Sequence, residues 1–196
     1  MLLKGINLHP GNRLYMDSMK AIIYSTTLKT PIGLMFACAT NEGICMLEFP
    51  YRKSFPKQIE GLKRLLNADI EAGESKYFEV LKSQLEEYFK CQRKEFDIPL
   101  VLSGSAFQLK VWNELCKIPY GERRTYLQQS ENLDSPKAIR AVAAANGANK
   151  ISILIPCHRI VGSNGSLVGY GGGLRNKQFL LELESKDNIK QTRLDL

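Results

Sequence analysis

Cys157, His158 and Arg159 set a thiol, an imidazole and a guanidinium in direct succession, immediately after Pro156. A cysteine attacks as its thiolate, so its pKa must fall or a base must take the proton. Arg159 and Lys177 offer positive charge, and His158 offers the base. On an extended chain, successive side chains point to opposite faces. Adjacency therefore argues for a water relay between Cys157 and His158, since direct contact needs a turn at this point. A histidine base also needs an orienting partner. In the helix expected over residues 174–184, Glu184 shares a face with Lys177, Leu180 and Leu181 and can point inward, whereas Glu182 lies on another face.

The elements around this triplet must hold it. Residues 151–155 form an apolar run that ends on Pro156, which reads as a buried strand. The loop that follows, up to Gly173, holds six of the chain's 15 glycines, which allow φ > 0 and close approach of a flat ligand. Upstream, Ser105 with Gln108 forms a capping-box pattern that opens a largely buried helix, with Cys116 in the core. Proline at 119 ends it. Thr125 with Gln128 repeats the pattern for a short helix. Ser135 as N-cap and Pro136 as first residue open the next, over residues 137–146, with Gly147 closing it. Two helices so joined fit a helix-turn-helix, and also a plain helical hairpin. Ile139, Val142 and Asn146 form one stripe of the second helix, its apolar members facing inward. The side with Arg140 has Lys137, Ala143, Ala144 and Gly147 as neighbours. That thin face suits insertion of an arginine into a DNA groove, or close packing on another helix.

The first half shows no chemistry of its own. Residues 21–27, 34–40 and 43–49 read as strands of an antiparallel hairpin arrangement, joined at the Thr30-Pro31-Ile32-Gly33 turn and at residues 41–43. A basic loop covers residues 52–57. Helices are expected over residues 58–66 and 75–91, and a strand or linker over 96–102. Cys38, Cys45 and Cys91 read as core or surface thiols. Residues 1–19 read as an extension, 20–98 and 99–185 as two domains, and 186–196 as a polar, fraying tail.

At 196 residues, with 44% hydrophobic and 24% charged residues, the chain has an ordinary globular composition. Its net charge of +7 favours an anionic partner, nucleic acid ahead of membrane, or serves solubility. Five cysteines with irregular spacing and no Cys-x-x-Cys argue against a disulfide framework. Two histidines are too few for a His-rich metal site. No apolar run reaches the roughly 20 residues that span a bilayer. These features point to a protein of a reducing compartment, cytoplasmic or nuclear, without a membrane anchor.

Pro156-Cys157-His158-Arg159, followed by Gly169-Tyr170, Gly172-Gly173, Lys177, Leu180-Leu181 and Glu184, resembles the O6-alkylguanine-DNA alkyltransferase family. The likeness covers about residues 105–184 and includes Val111-Trp112, Ile118-Pro119, Gly121, Tyr126, Pro136, Arg140-Ala141-Val142 and Asn146-Gly147. The first half resembles the family's N-terminal domain only loosely. The resemblance implies an α/β (α+β) fold: a ribonuclease-H-like N-terminal domain with a small antiparallel sheet, then a mostly helical domain with a helix-turn-helix and a short strand carrying the cysteine. It implies a single-turnover repair reaction in which Cys157 takes the alkyl group from O6 of guanine, with O4-alkylthymine a further substrate. His158 would take the thiol proton through a water, Glu184 would orient His158, and Asn149 would hold the Cys157 region. Double-stranded DNA would bind by its minor groove to a monomer through Tyr126, Lys137, Ala138, Arg140 and Ala141, with Arg140 filling the space of the flipped nucleotide. Tyr170, Gly171, Gly172 and Lys177 would form the substrate pocket, together with Gly173. No cofactor and no metal are expected. Many relatives read Asn-Pro at Asn149-Lys150, and some carry Ala at Ile139. The other readings are a DNA-binding module without repair and a cysteine hydrolase.

Overall fold

A computed structural model describes residues 20–194, with side chains up to Ser185. The expected extension over residues 1–19 lies outside the described residues. The first half is built on a four-stranded sheet of order β3-β2-β1-β4. Strands β1 (Ala21–Thr30), β2 (Gly33–Ala39) and β3 (Ile44–Glu48) pair antiparallel. The β1–β2 turn is the one expected at Thr30-Pro31-Ile32-Gly33, and Gly33 takes φ 111°, open to glycine. Helix α1 (Phe55–Leu66) then leads into β4 (Ala68–Ala72), which runs parallel to β1. The sheet is therefore mixed, where an antiparallel one was expected. The strand at β4 reads Ala-Asp-Ile-Glu-Ala, too polar and too weak in β-formers to stand out from the sequence.

Alternation along β2 divides the interior. Met35, Ala37 and Ala39 face the main core with Leu81, Leu85 and Tyr88 of α2 (Lys76–Phe89). Phe36 and Cys38 face a smaller cluster with Leu62 of α1. The main core continues without a break into Val111, Trp112 and Leu115 of α3 (Ala106–Cys116) and into Val142. No regular strand forms over residues 96–102, where Leu100 makes a single parallel bridge to Ile44.

Both capping boxes form as expected, at Ser105–Gln108 for α3 and at Thr125–Gln128 for α4 (Tyr126–Asn132). Helix α5 (Ile139–Gly147) is preceded by a 3-10 turn over Pro136–Ala138, and Ser135 does not cap it with its side chain. The angle between α4 and α5 is held by a reciprocal amide pair. Asn146 donates to Gln129 at 2.7 Å and Gln129 donates back at 3.2 Å. Trp112 Nε1 ties α3 to the Ala145 carbonyl at 2.8 Å. Two burial expectations change. Ile139 is 37% exposed on the outside of α5, and Cys116 is exposed at the end of α3. A two-residue pair, β5 (Arg124–Thr125) with β6 (Ile160–Val161), precedes α6 (Leu174–Leu194). Helix α6 continues beyond Glu184 to Leu194, through most of the tail expected to fray.

Candidate active site

Residues 151–155 are buried but are not a strand. Ile151 makes one parallel bridge to Leu47 on the edge strand β3. Leu47 donates to the Lys150 carbonyl and Ser152 donates to the Leu47 carbonyl, each at 2.8 Å. The chain then turns, with Ile155 N–H bonded to the Ile151 carbonyl at 3.0 Å. Ile153, β-branched and 1% exposed, sits at φ 73°, a conformation that costs on the order of 1–3 kcal/mol. An apolar run gives no sign of such a residue, which is why periodicity read a strand here. The turn continues into a 3-10 element over Cys157–Arg159. The premise of an extended chain at Cys157 and His158 therefore does not hold. A helical turn carries the successive side chains around the axis rather than to opposite faces.

Cys157 is buried, and Asn149 Nδ2 lies 3.3 Å from its sulfur. Asn149 is itself clamped. Its amide donates to the Ile155 carbonyl at 3.0 Å, and its Oδ1 accepts from Ile151 N–H at 2.9 Å. Burial pushes the Cys157 thiol up to about 11, against the opposing pull of the Asn149 bond. The resting group at neutral pH is a thiol, so the reaction needs a base.

His158 is fully buried, and its Nε2 lies 2.9 Å from Glu184 Oε1. Burial holds His158 below its ordinary pKa, against the pull of Glu184. Glu184, 0% exposed, accepts from four groups besides. These are Arg159 Nε and Nη2, both at 2.9 Å, Tyr88 OH at 2.8 Å and Gly121 N–H at 3.2 Å. Burial alone would raise the Glu184 carboxyl, but His158 and Arg159 bring it well below the usual carboxylate range. An ionised Glu184 can only accept, so a neutral His158 must carry its proton on Nε2. That leaves Nδ1 as the lone-pair nitrogen, and it has no hydrogen-bond partner among the described residues.

Arg159 therefore serves Glu184 and the Ile118 carbonyl (2.6 Å), and its charge is not directed at the thiol. Lys177, 0% exposed, donates to the carbonyls of Ile160, Val168 (2.6 Å) and Gly169 (3.4 Å). It ties down the glycine loop from behind, and burial lowers its pKa to about 8.

Cys157 opens into a cavity of about 650 Å³, lined also by Tyr126, Ala143, Asn146, Gly147, Gly169, Tyr170, Gly171 and Gly173. Of the expected pocket residues, Tyr170 and Gly171 are on its wall and Gly172 and Lys177 are not. Gly172 is packed edge-on against Phe49, where a Cβ would come within 2.7 Å of Cζ. Lys177 points to the carbonyls behind the loop. Tyr126, expected at the DNA surface, is half-buried in the cavity, its OH 3.5 Å from the Val168 carbonyl. Beside the cavity, Arg140, Lys137, Ala141, Ala144 and Gly147 are exposed and Ala138 is half-buried. Arg140 makes no hydrogen bond or ion pair with the described residues.

The first half contributes more than its sequence suggested. Tyr51, Arg52, Lys53 and Ser54 complete the cavity wall. Tyr51 OH donates to the Gly172 carbonyl at 3.0 Å, and Phe49 and Tyr170 stack edge-to-face at 6.1 Å. Ser152 Oγ donates to the buried Glu48 at 3.2 Å. At the position where many alkyltransferases read proline, Lys150 donates to the Ser103 carbonyl at 2.7 Å and lies 5.2 Å above the Trp112 ring. None of these partners is visible locally, because each joins residues 38 or more positions apart. Among the described residues, no group of three or more His, Cys, Asp or Glu could hold a metal ion, and no helix is long and apolar enough to cross a membrane.

Residues 23–102 match the ribonuclease-like domain of 6-O-methylguanine DNA methyltransferase, and residues 106–186 match its DNA binding domain. The chain belongs to this family. It is 40% identical over 162 residues to the methylated-DNA–protein-cysteine methyltransferase of Methanosarcina acetivorans, covering 83% of this chain and 98% of that one. The inducible methylated-DNA–protein-cysteine methyltransferase of Bacillus subtilis is also 40% identical over 162 residues, covering 83% of both chains. Among solved structures, Mycobacterium tuberculosis OGT in complex with DNA matches with a TM-score of 0.71 and 35% identity, over 85% of this chain and 94% of that one. The methyltransferase of Pyrococcus kodakaraensis, at 22% identity and a TM-score of 0.57, shares the fold.

Proposed function

We propose that this chain repairs DNA by moving the alkyl group of O6-alkylguanine irreversibly onto Cys157, once per molecule. The carrying observation is a buried thiol at the base of a cavity, held by Asn149 and adjacent to a histidine whose second nitrogen is fixed on a carboxylate. A thiol raised to about 11 is inert until a base takes its proton. His158 Nδ1 is the available lone pair, and a bridging water carries the proton from Sγ to it. Glu184 then stabilises the imidazolium that forms. Sγ bonds to the alkyl carbon as the carbon–O6 bond breaks. The electron pair stays on guanine, which takes up one proton for the one the thiol gave. The product thioether has no leaving group, so the protein does not turn over.

The thiol cannot reach a base inside a duplex, so the target nucleotide must leave the stack. The exposed, small-residue face of α5 lets the helix approach the minor groove closely. Arg140 there is free to occupy the vacated space, with Lys137, Ala138 and Ala141 along the backbone. Tyr126, Tyr170 and Gly171 hold the extruded guanine, and the net charge of +7 supplies phosphate affinity without sequence preference. The chain acts as a monomer. Incubation with duplex DNA carrying an isotopically labelled O6-methyl group tests the reading. The label moves to the protein, and Cys157→Ala takes none. Labelled DNA that is bound without transfer would mark a damage-binding module. Repeated turnover of an ester would mark a hydrolase.

A further inference from the structure

Arg52 belongs to the basic loop after β3, a stretch to which the reaction above assigns no part. Its side chain is 14% exposed and reaches across to the second half. It donates to Glu48, to the Gly147 carbonyl at the C-terminal end of α5, and at 3.5 Å to the Asn149 carbonyl. Glu48 is 0% exposed and also receives Phe49 N–H at 2.9 Å and Ser152 Oγ. A cation suits the end of a helix, where the last carbonyls carry partial negative charge. The guanidinium also underlies the glycine loop. A Cβ on Gly171 would fall 2.6 Å from Arg52 Cζ and 2.9 Å from Nε. One side chain thus touches the base-delivering helix, the residue that holds Cys157, and the pocket wall.

We propose that Arg52 is a positioning residue for alkyl transfer, fixing the α5 end, Asn149 and the Gly171 backbone at the spacing that seats a guanine against Cys157. This rests on the alkyl-transfer reading and deepens it. It also gives the sheet half a part in a site whose reacting groups all lie in the other half. The fork geometry matters as much as the charge. A lysine carries its donors on one atom and cannot serve Glu48 and Asn149 from one nitrogen while a second nitrogen holds Gly147. Gly171 is the complementary partner, since only a residue without a Cβ leaves room for the guanidinium.

The test is Arg52→Lys, which keeps the cation but loses the fork, read with free O6-benzylguanine over a range of concentrations and, separately, with iodoacetamide. Iodoacetamide needs the thiol but not the guanine pocket. The half-saturating benzylguanine concentration rises about tenfold. The limiting rate stays within about threefold and iodoacetamide reactivity within about twofold. Gly171→Ala, which pushes on the guanidinium from the other side, raises half-saturation likewise, and adds little more in the Arg52→Lys background. A wild-type half-saturation in Arg52→Lys overturns the proposal. So does a loss shared equally by both reagents, which is the mark of a merely structural residue. A wild-type chain that takes up no benzyl group removes the alkyl-transfer reading, and this proposal with it.

Discussion

Glu184→Gln is the substitution whose consequences the structure defines most closely. The carboxylate takes three donors on Oε1 (His158, Arg159, Tyr88) and two on Oε2 (Arg159, Gly121). Glutamine has the same shape but only one acceptor oxygen. However the amide is turned, its NH2 faces two or three donors, and the buried Arg159 loses its counter-charge. Removing one partner of a buried ion pair costs about 3–5 kcal/mol. For a chain of this size that lowers Tm by about 6–20 °C. The cost depends on pH. A carboxyl held low in the folded state contributes stability above its unfolded value of about 4.3, lost as pH falls toward the folded value. The difference between wild type and variant therefore narrows below about pH 4. Catalysis suffers separately. An amide NH2 turned toward His158 reverses the tautomer and puts the proton on Nδ1, which costs on the order of 10^4 in rate in a comparable histidine–carboxylate pair. Thermal unfolding across pH 2.5–7 and single-turnover transfer rates provide the readouts. A Tm within about 2 °C of wild type at neutral pH would refute the account of Glu184 as the charge that holds Arg159 and His158.

Three further outcomes follow from the same geometry. Alkylation of Cys157 by iodoacetamide climbs steadily from pH 7 to 9.5 without levelling, because burial has moved the thiol to about 11; a curve with its midpoint near pH 8.5 would mean an ordinary thiol. Arg140→Ala slows repair in duplex DNA at least tenfold while reaction with free O6-benzylguanine changes less than twofold, since the side chain is outside the cavity. Equal losses would remove its assignment to the vacated stack. Lys177→Met leaves three carbonyls without their cation and destabilises the protein by about 2–4 kcal/mol, seen as faster proteolysis of residues 162–172; wild-type resistance would contradict its place as the loop's anchor.

Local chemistry made part of this site legible. Ser105 with Gln108 and Thr125 with Gln128 are three residues apart, so their capping boxes could be read directly. Glu184 could be assigned inward because helical spacing puts it with Lys177, Leu180 and Leu181, all buried. What the sequence hid is tertiary. β4 is polar and pairs with a strand more than 40 residues away. Tyr88 reaches Glu184 across 96 positions, and Arg52 reaches Gly147 across 95. The apolar run at 151–155 misled for a different reason. Hydrophobicity reports burial, and here burial is achieved by one bridge to β3 followed by a turn through Ile153. Ile139 and Cys116 show the converse, since apolar spacing marks a helix face but not which end of it meets solvent.

The central claim is that Cys157 is an alkyl acceptor that reacts once. Peptide mass measurement after incubation with excess O6-methylguanine duplex tests it most directly. The account predicts one methyl group per chain, on the peptide carrying Cys157, with guanine restored in the DNA, no further transfer from fresh substrate, and no gain in Cys157→Ala. An unmodified Cys157 beside repaired DNA, or methyl groups accumulating on Cys38, Cys45, Cys91 or Cys116, would contradict it.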